Sequence, residues 1–264
     1  MMRLKHVIVF ISLIVIVISS CNTTQTYYQV YSTKPVSPTE MNKNTVVFED
    51  NNCIVKYNLW SNGGNPGFLI YNKSDIPMKI LLENTHLIIN GIVHDYYQNK
   101  TTKSQTSVIS GSNDVRYNSN NNNILYSVEN YGYVYSDGEQ MTQLPILNIP
   151  PKTARYINQF TLVNANKLHC DLPTYPNNER SVKIVSYTQD NSPLKFYNYI
   201  SYSIGMDTSV IETKFYVNEV ANLPSKLMFN EIYTDQCGNS LMYPQLSFKN
   251  SQSHSFYIRY QRVN

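Results

Sequence analysis

The chain has 264 residues, a formal charge of +3, and charged side chains at only 15% of positions. No block of Lys or Arg occurs, which excludes the concentrated positive footprint that nucleic-acid binding needs. Polarity comes instead from Asn, Ser, Thr and Gln, and the 23 tyrosines suit strands, where a ring packs on a pleated face and its hydroxyl reaches water.

Residues 7–18 are apolar apart from Ser12 and follow Arg3 and Lys5. The run has the length of a signal-peptide core and falls short of the roughly 20 residues that span a bilayer. The next residues, Ile18-Ser19-Ser20-Cys21, resemble a lipobox, with Ile where Leu is usual and Ser where Gly or Ala is usual. On this reading residues 1–20 are a signal peptide and Cys21 is the lipidation site. Its fatty-acyl (palmitate-type) chains hold the protein to membrane lipid, since several chains anchor firmly where one anchors marginally. Removing Arg3 and Lys5 lowers the formal charge from +3 to +1. Residues 21–44 are polar and interrupted by Pro35 and Pro38, so they read as a lipidated tether without regular structure. Asn22-Thr23-Thr24-Gln25-Thr26 carries no acid, which favours the periplasmic side of the outer membrane over the cell surface.

Residues 45–264 alternate short β-prone runs with Asn-, Gly- and Pro-rich turns, and helical periodicity is nearly absent. Runs at 46–48 and 54–60 open the domain. In the second, Val55, Tyr57 and Leu59 share one face while Ile54 and Trp60 share the other. Asn62-Gly63-Gly64-Asn65-Pro66-Gly67 is a turn that leads into strands at 68–71 and 78–82. The clearest hairpin spans 85–96 around Asn90-Gly91, a pair suited to a type I′ turn. Two-residue closure sets Ile89 opposite Ile92, Ile88 opposite Val93, Leu87 opposite His94 and His86 opposite Asp95.

A polar insertion follows at about 98–123, ending in Asn120-Asn121-Asn122-Asn123. Strands are then expected at 124–128, 131–135, 146–149, 156–163 and 182–187. Residues 195–204 and 210–220 form a second hairpin around Gly205-Met206-Asp207-Thr208, and runs at 226–233 and 255–260 close the chain. Many short antiparallel strands predict an all-β fold, an antiparallel β-sandwich of immunoglobulin-like or jelly-roll-like type, as one continuous domain.

With Cys21 assigned to lipid, Cys53, Cys170 and Cys237 remain, an odd set that allows one disulfide in any of three pairings. No cysteine pair has zinc-site spacing, and no cofactor-binding motif is written. Cys53 reads as a buried small apolar group. The pair His86 and Asp95 is the one polar couple that register brings together, although no nucleophile lies beside it in sequence. His169-Cys170-Asp171 holds the ingredients of thiol chemistry, but adjacent strand residues point to opposite faces. Gly63-Gly64-Asn65-Pro66-Gly67 lacks the following helix that a phosphate cradle needs. No set of catalytic residues emerges.

Three stretches carry a family likeness. They are Tyr57-Asn58-Leu59-Trp60-Ser61-Asn62-Gly63-Gly64-Asn65-Pro66-Gly67-Phe68 with Ile70-Tyr71-Asn72-Lys73-Ser74, then Ile149-Pro150-Pro151-Lys152, and Phe196-Tyr197-Asn198-Tyr199-Ile200-Ser201-Tyr202. Together they resemble a family of uncharacterised lipoproteins of Bacteroides-type gut bacteria, over most of residues 45–235. The resemblance implies a lipid-anchored envelope protein and supplies no catalytic residues. The function expected is that of a non-catalytic envelope lipoprotein whose sandwich binds or assembles with an envelope protein. The alternative is a carbohydrate-binding or glycan-hydrolysing protein, for which an exposed Trp60 beside a carboxylate-lined groove is the signature. Burial of Trp60 among Ile54 and Phe68 is the expectation.

Overall fold

The computed structural model describes residues 24–36, 40–42, 45–99, 101–103, 140–165, 169–235 and 237–262. The signal peptide, Cys21 and the strands expected at 124–128 and 131–135 lie outside the described residues. By its internal contacts the chain forms two units, Met1–Tyr96 with Ile146–Asn264, and Tyr97–Pro145.

The larger unit opens with β1 (Gln25–Pro35), β2 (Glu40–Asn42), β3 (Thr45–Glu49), β4 (Cys53–Tyr57) and β5 (Phe68–Asn72). It continues with β6 (Met78–Leu81), β7 (His86–Ile89) and β8 (Ile92–Asp95). In the inserted unit β9 (Thr101–Lys103) pairs with β10 (Gln140–Thr142). Gln98 donates its backbone N–H to Gln143 Oε1 at 2.7 Å there. The larger unit resumes with β11 (Ile146–Ile149), β12 (Ala154–Ile157), β13 (Ile184–Ser186), β14 (Lys195–Ile204) and β15 (Asp207–Pro224). One helical turn (Ser225–Met228) precedes β16 (Phe229–Thr234), β17 (Ser240–Phe248) and β18 (Ser255–Arg262).

Within the larger unit these strands build an antiparallel β-sandwich. One sheet runs β11-β6-β14-β15-β1-β18, with β7 and β8 continuing from β14 and β13 lying on β15. The other runs β12-β5-β4-β3-β2. The sheets meet through aromatic side chains. The Tyr57 ring lies 5.1 Å from that of Phe215 at 71°, and Phe215 stacks on Phe196 at 5.0 Å. All three side chains are buried, and each contributes about 1.5–3 kcal/mol by leaving water. Inward-facing polar groups find partners inside. The Tyr57 hydroxyl bonds Thr213 Oγ1, and Asn198 donates to Pro66 O at 2.8 Å while accepting from the Tyr96 hydroxyl at 2.8 Å.

The hairpin β7–β8 has the predicted register, with Ile89 opposite Ile92 and His86 opposite Asp95. Asn90 and Gly91 take φ of 48° and 85°, as a type I′ turn requires. In β4 and the residues after it, Val55, Tyr57 and Leu59 are buried and Ile54 and Trp60 are half-buried, the division that alternation predicts.

Three expectations are corrected. The tether expected over 21–44 is a strand over Gln25–Pro35, paired with β15 on one side and β18 on the other. Tyr27, Gln29, Tyr31 and Thr33 are all buried, so the segment alternates as a strand does, with polar side chains at two inward positions. The strand expected at 156–163 is confined to Ala154–Ile157, beside β5. Beyond it, Leu162 and Val163 give their backbone N–H groups to Gly63 O instead of extending the sheet. A nine-residue strand absent from the predicted pattern, β17, pairs with β16.

Candidate functional site

The structure brings His86 and Asp95 together, with His86 Nδ1 2.8 Å from Asp95 Oδ1. The side chains are 28% and 62% exposed, and the other ring near His86 is that of Tyr199, 6.1 Å away. This geometry is that of a cross-strand surface pair. His169 Nε2 is engaged by the Tyr187 hydroxyl, and its Nδ1 accepts the Asp171 backbone N–H at 3.3 Å. Both ring nitrogens therefore serve the loop, and Cys170 is exposed beside them. Cys53 is fully buried. Burial first, and then the neighbouring Asp50 carboxylate, push its thiol well above the ordinary range, which holds it as an unreactive thiol. Cys53, Cys170 and Cys237 are all free. Cys21 lies outside the described residues.

A site that sequence reasoning did not reach lies on the outer face of β1 and β18. Loop 59–64 folds over the free edge of β18: Gly63 donates to Tyr257 O at 2.8 Å, and Tyr257 donates to Ser61 O at 3.2 Å. The glycine-rich turn is therefore a docking element as well as a reversal. Gly64 has φ of +75°, and a Cβ there would fall 2.8 Å from the Phe256 ring, so only glycine permits this approach. The loop carries Trp60 to Phe248, whose ring it meets edge-on at 5.1 Å, and to Tyr257 at 5.2 Å. Trp60 is half-buried, and the rings it meets are those of Phe248 and Tyr257 rather than that of Phe68.

The cluster continues across the sheet. Phe229 lies 4.6 Å from Phe248 and 5.4 Å from Tyr28, while Tyr28 meets Tyr257 at 5.6 Å. Burial raises the pKa of the Tyr28 hydroxyl against the opposing pull of the Arg259 guanidinium. Beside these rings is a hollow of about 230 Å³, lined by Trp60, Leu223, Leu227, Met228, Asn250 and Gln252 among others. The indole Nε1 of Trp60 is buried without a hydrogen-bond partner among the described residues. A buried donor left unpaired costs about 1–3 kcal/mol, and the hollow beside it presents two amide side chains and an apolar wall. That chemistry can hold a small polar ligand with an apolar face.

From this cluster β16 and β17 run outward as a two-stranded ribbon. Its root is Phe229 opposite Phe248, and beyond that Tyr233, Met242, Tyr243 and Leu246 are 57%, 88%, 73% and 62% exposed. At the start of β1 a second aromatic group gathers. Tyr27 lies 5.1 Å from Tyr175 and 5.7 Å from Tyr260, with the Arg262 guanidinium 5.4 Å over the Tyr175 ring. Phe248, Leu246 and Met242 share one parity, broken at Pro244, and this was the sequence signal for β17, beside the run expected at 226–233.

Among the described residues no group of three His, Cys, Asp or Glu is placed to hold a metal ion, and no helix is long and apolar enough to cross a membrane. The fold and site define an all-β antiparallel sandwich with an aromatic-rooted, solvent-exposed ribbon. No protein-family model matches the chain, and searches of curated proteins and of solved structures give no significant match.

Proposed function

We propose that the protein is a non-catalytic envelope lipoprotein, cut before Cys21, acylated there, and built to bind or assemble with other envelope components. The observation that carries this reading is the start of the fold. β1 begins at Gln25, so cleavage before Cys21 leaves every strand of the sandwich intact. Only Asn22, Thr23 and Thr24 then separate the acylated residue from the sheet, which makes the anchor a short lead in place of a long tether. Such a lead keeps the domain close to the membrane, on the periplasmic side of the outer membrane in this reading. Grouped apolar side chains in water mark sites of contact with a protein or a membrane, and the exposed ribbon is such a group. Mass analysis of membrane-extracted protein is expected to give a chain starting at an acylated Cys21, and Cys21→Ser is expected to move the protein to the soluble fraction. An intact leader or an unmodified Cys21 refutes the reading.

Carbohydrate binding is favoured as a second reading by one feature, the hollow that Trp60 lines together with the amide side chains of Asn250 and Gln252. Aromatic and amide side chains together suit the apolar face and hydroxyls of a sugar. Glycan-array binding that Trp60→Phe abolishes supports it, and an array without binding removes it.

A further inference from the structure

The ribbon leaves a set of apolar side chains without a partner in the fold. Beyond the root pair Phe229 and Phe248, β16 is exposed from Asn230 to Thr234, and most of β17 is exposed as well. A two-stranded ribbon is at best marginal alone in water. This one projects Tyr233, Met242, Tyr243 and Leu246 into solvent at more than half of their full exposure.

The root of the ribbon lies beside the first strand of the fold. Phe229 touches Tyr28, the fourth residue of β1, and β1 begins four residues after Cys21. A fully extended chain spans at most about 3.6 Å per residue, which puts the first residue of β1 within about 14 Å of Cys21 and Tyr28 within about 25 Å. The reach of the ribbon is set by its shorter strand, β16, whose six residues span about 20 Å at roughly 3.3 Å per residue, because β17 bulges between Gln245 and Ser240. The reach of the ribbon is therefore comparable with the separation open to its root and an acylated Cys21.

We infer that the ribbon β16–β17 is a second membrane contact, which lays Met242, Tyr243 and Leu246 into the headgroup region of the phospholipid bilayer that holds the acyl chains. This rests on the acylation of Cys21. Its side chains suit that depth: tyrosine places an apolar ring and a polar hydroxyl across the membrane–water boundary, and methionine and leucine reach the acyl region. The ribbon does not invite a partner strand on its β17 side, because Pro244 interrupts that strand and has no N–H to offer. Lys226 and Lys249, joined at the root by a hydrogen bond from Lys249 Nζ to Lys226 O at 2.9 Å, are exposed cations suited to anionic headgroups, and the carboxylates of Glu231 and Asp235 lie further along the ribbon. The acyl chains supply the affinity, and the ribbon fixes the orientation of the sandwich on the surface.

Cys237 makes the inference measurable, because it is an exposed free thiol in the turn that closes the ribbon, held by its backbone N–H to Asp235 Oδ1 at 2.8 Å. The full acylated protein with Cys170→Ser carries a polarity-sensitive fluorophore at Cys237. It is then mixed with vesicles of phosphatidylethanolamine and phosphatidylglycerol, and flotation measures binding in parallel. The expected result is a blue-shifted emission quenched by spin-labelled lipid, with quenching reduced severalfold by Met242→Ser/Tyr243→Ser/Leu246→Ser. Unchanged emission on protein that floats with the vesicles overturns the ribbon contact and leaves the anchor standing. A blue shift that grows with protein concentration without vesicles assigns the ribbon to a second copy and also overturns the inference. A Cys21 found unmodified by mass analysis overturns the anchor and the ribbon contact together.

Discussion

β1 and the ribbon β16–β17 are both rich in tyrosine and both flank the same aromatic cluster, yet one is swallowed by the fold and the other stands in water. In β1, Tyr27, Tyr28 and Tyr31 are all buried because the strand has a hydrogen-bonded neighbour on each side. In the ribbon, Tyr233 and Tyr243 are exposed because β16 and β17 pair only with each other. Side-chain chemistry is nearly the same in the two regions. What separates them is the number of strands alongside, and hence the area that leaves water. A tyrosine is a core residue when its strand is central and a contact residue when its strand is peripheral.

The sharpest way to break this comparison is to truncate a ring in β1. Tyr31 is 3% exposed and stacks on Phe256 with ring centroids 4.7 Å apart and planes 4° from parallel. Tyr31→Ala is expected to lower unfolding free energy by about 3–5 kcal/mol, the cost of emptying a buried aromatic site. Chemical denaturation measures it. A loss below about 1 kcal/mol, within the range of ordinary surface substitutions and small side-chain changes, would mean that β1 is not part of the core and that the segment is a tether after all.

That outcome bears on how the sequence can be read. The hairpin of β7 and β8 was legible to the residue because Asn90-Gly91 admits one turn type, and the turn fixes the register of His86 and Asp95. The long pair β14–β15 was legible because Phe196, Asn198, Ile200 and Tyr202 alternate without interruption. β1 was illegible because two of its inward positions are Gln29 and Thr33, and the partners that make them tolerable come from distant segments. Gln29 Nε2 donates to Asn222 Oδ1 at 3.1 Å, and Thr33 Oγ1 donates to His254 O at 2.7 Å. β17 was hidden by Pro244, which reads locally as a break. The aromatic cluster around Trp60 was invisible for a related reason: Phe248 and Tyr257 reach it from the other end of the chain, and no spacing rule connects them.

Gln29 offers a smaller and more specific test. Its side chain is 1% exposed, accepts a hydrogen bond from the Tyr31 hydroxyl at 2.5 Å, and donates to Asn222 Oδ1, while Asn222 donates to Pro173 O at 3.0 Å. Gln29→Leu keeps similar volume and removes both bonds, so a loss of about 1–3 kcal/mol is expected. Urea unfolding of the variant reads it directly. No loss would show that the inward polar positions of β1 are solvated and that the strand is central in hydrogen bonding only, without being buried.

The smallest effect is expected in the ribbon, and it is informative because it is small. Met242→Ser/Leu246→Ser removes two apolar side chains that are 88% and 62% exposed. In water, without lipid, such positions contribute within about 0.5 kcal/mol, so the thermal midpoint of the lipid-free protein should hardly move. On vesicles the same pair should matter, because a group that binds only the folded, membrane-bound state adds to stability by mass action. The two conditions separate a side chain kept for folding from one kept for contact. A large loss in lipid-free protein would show that the ribbon packs against the sandwich in solution, and its apolar side chains would then belong to the core alongside those of β1.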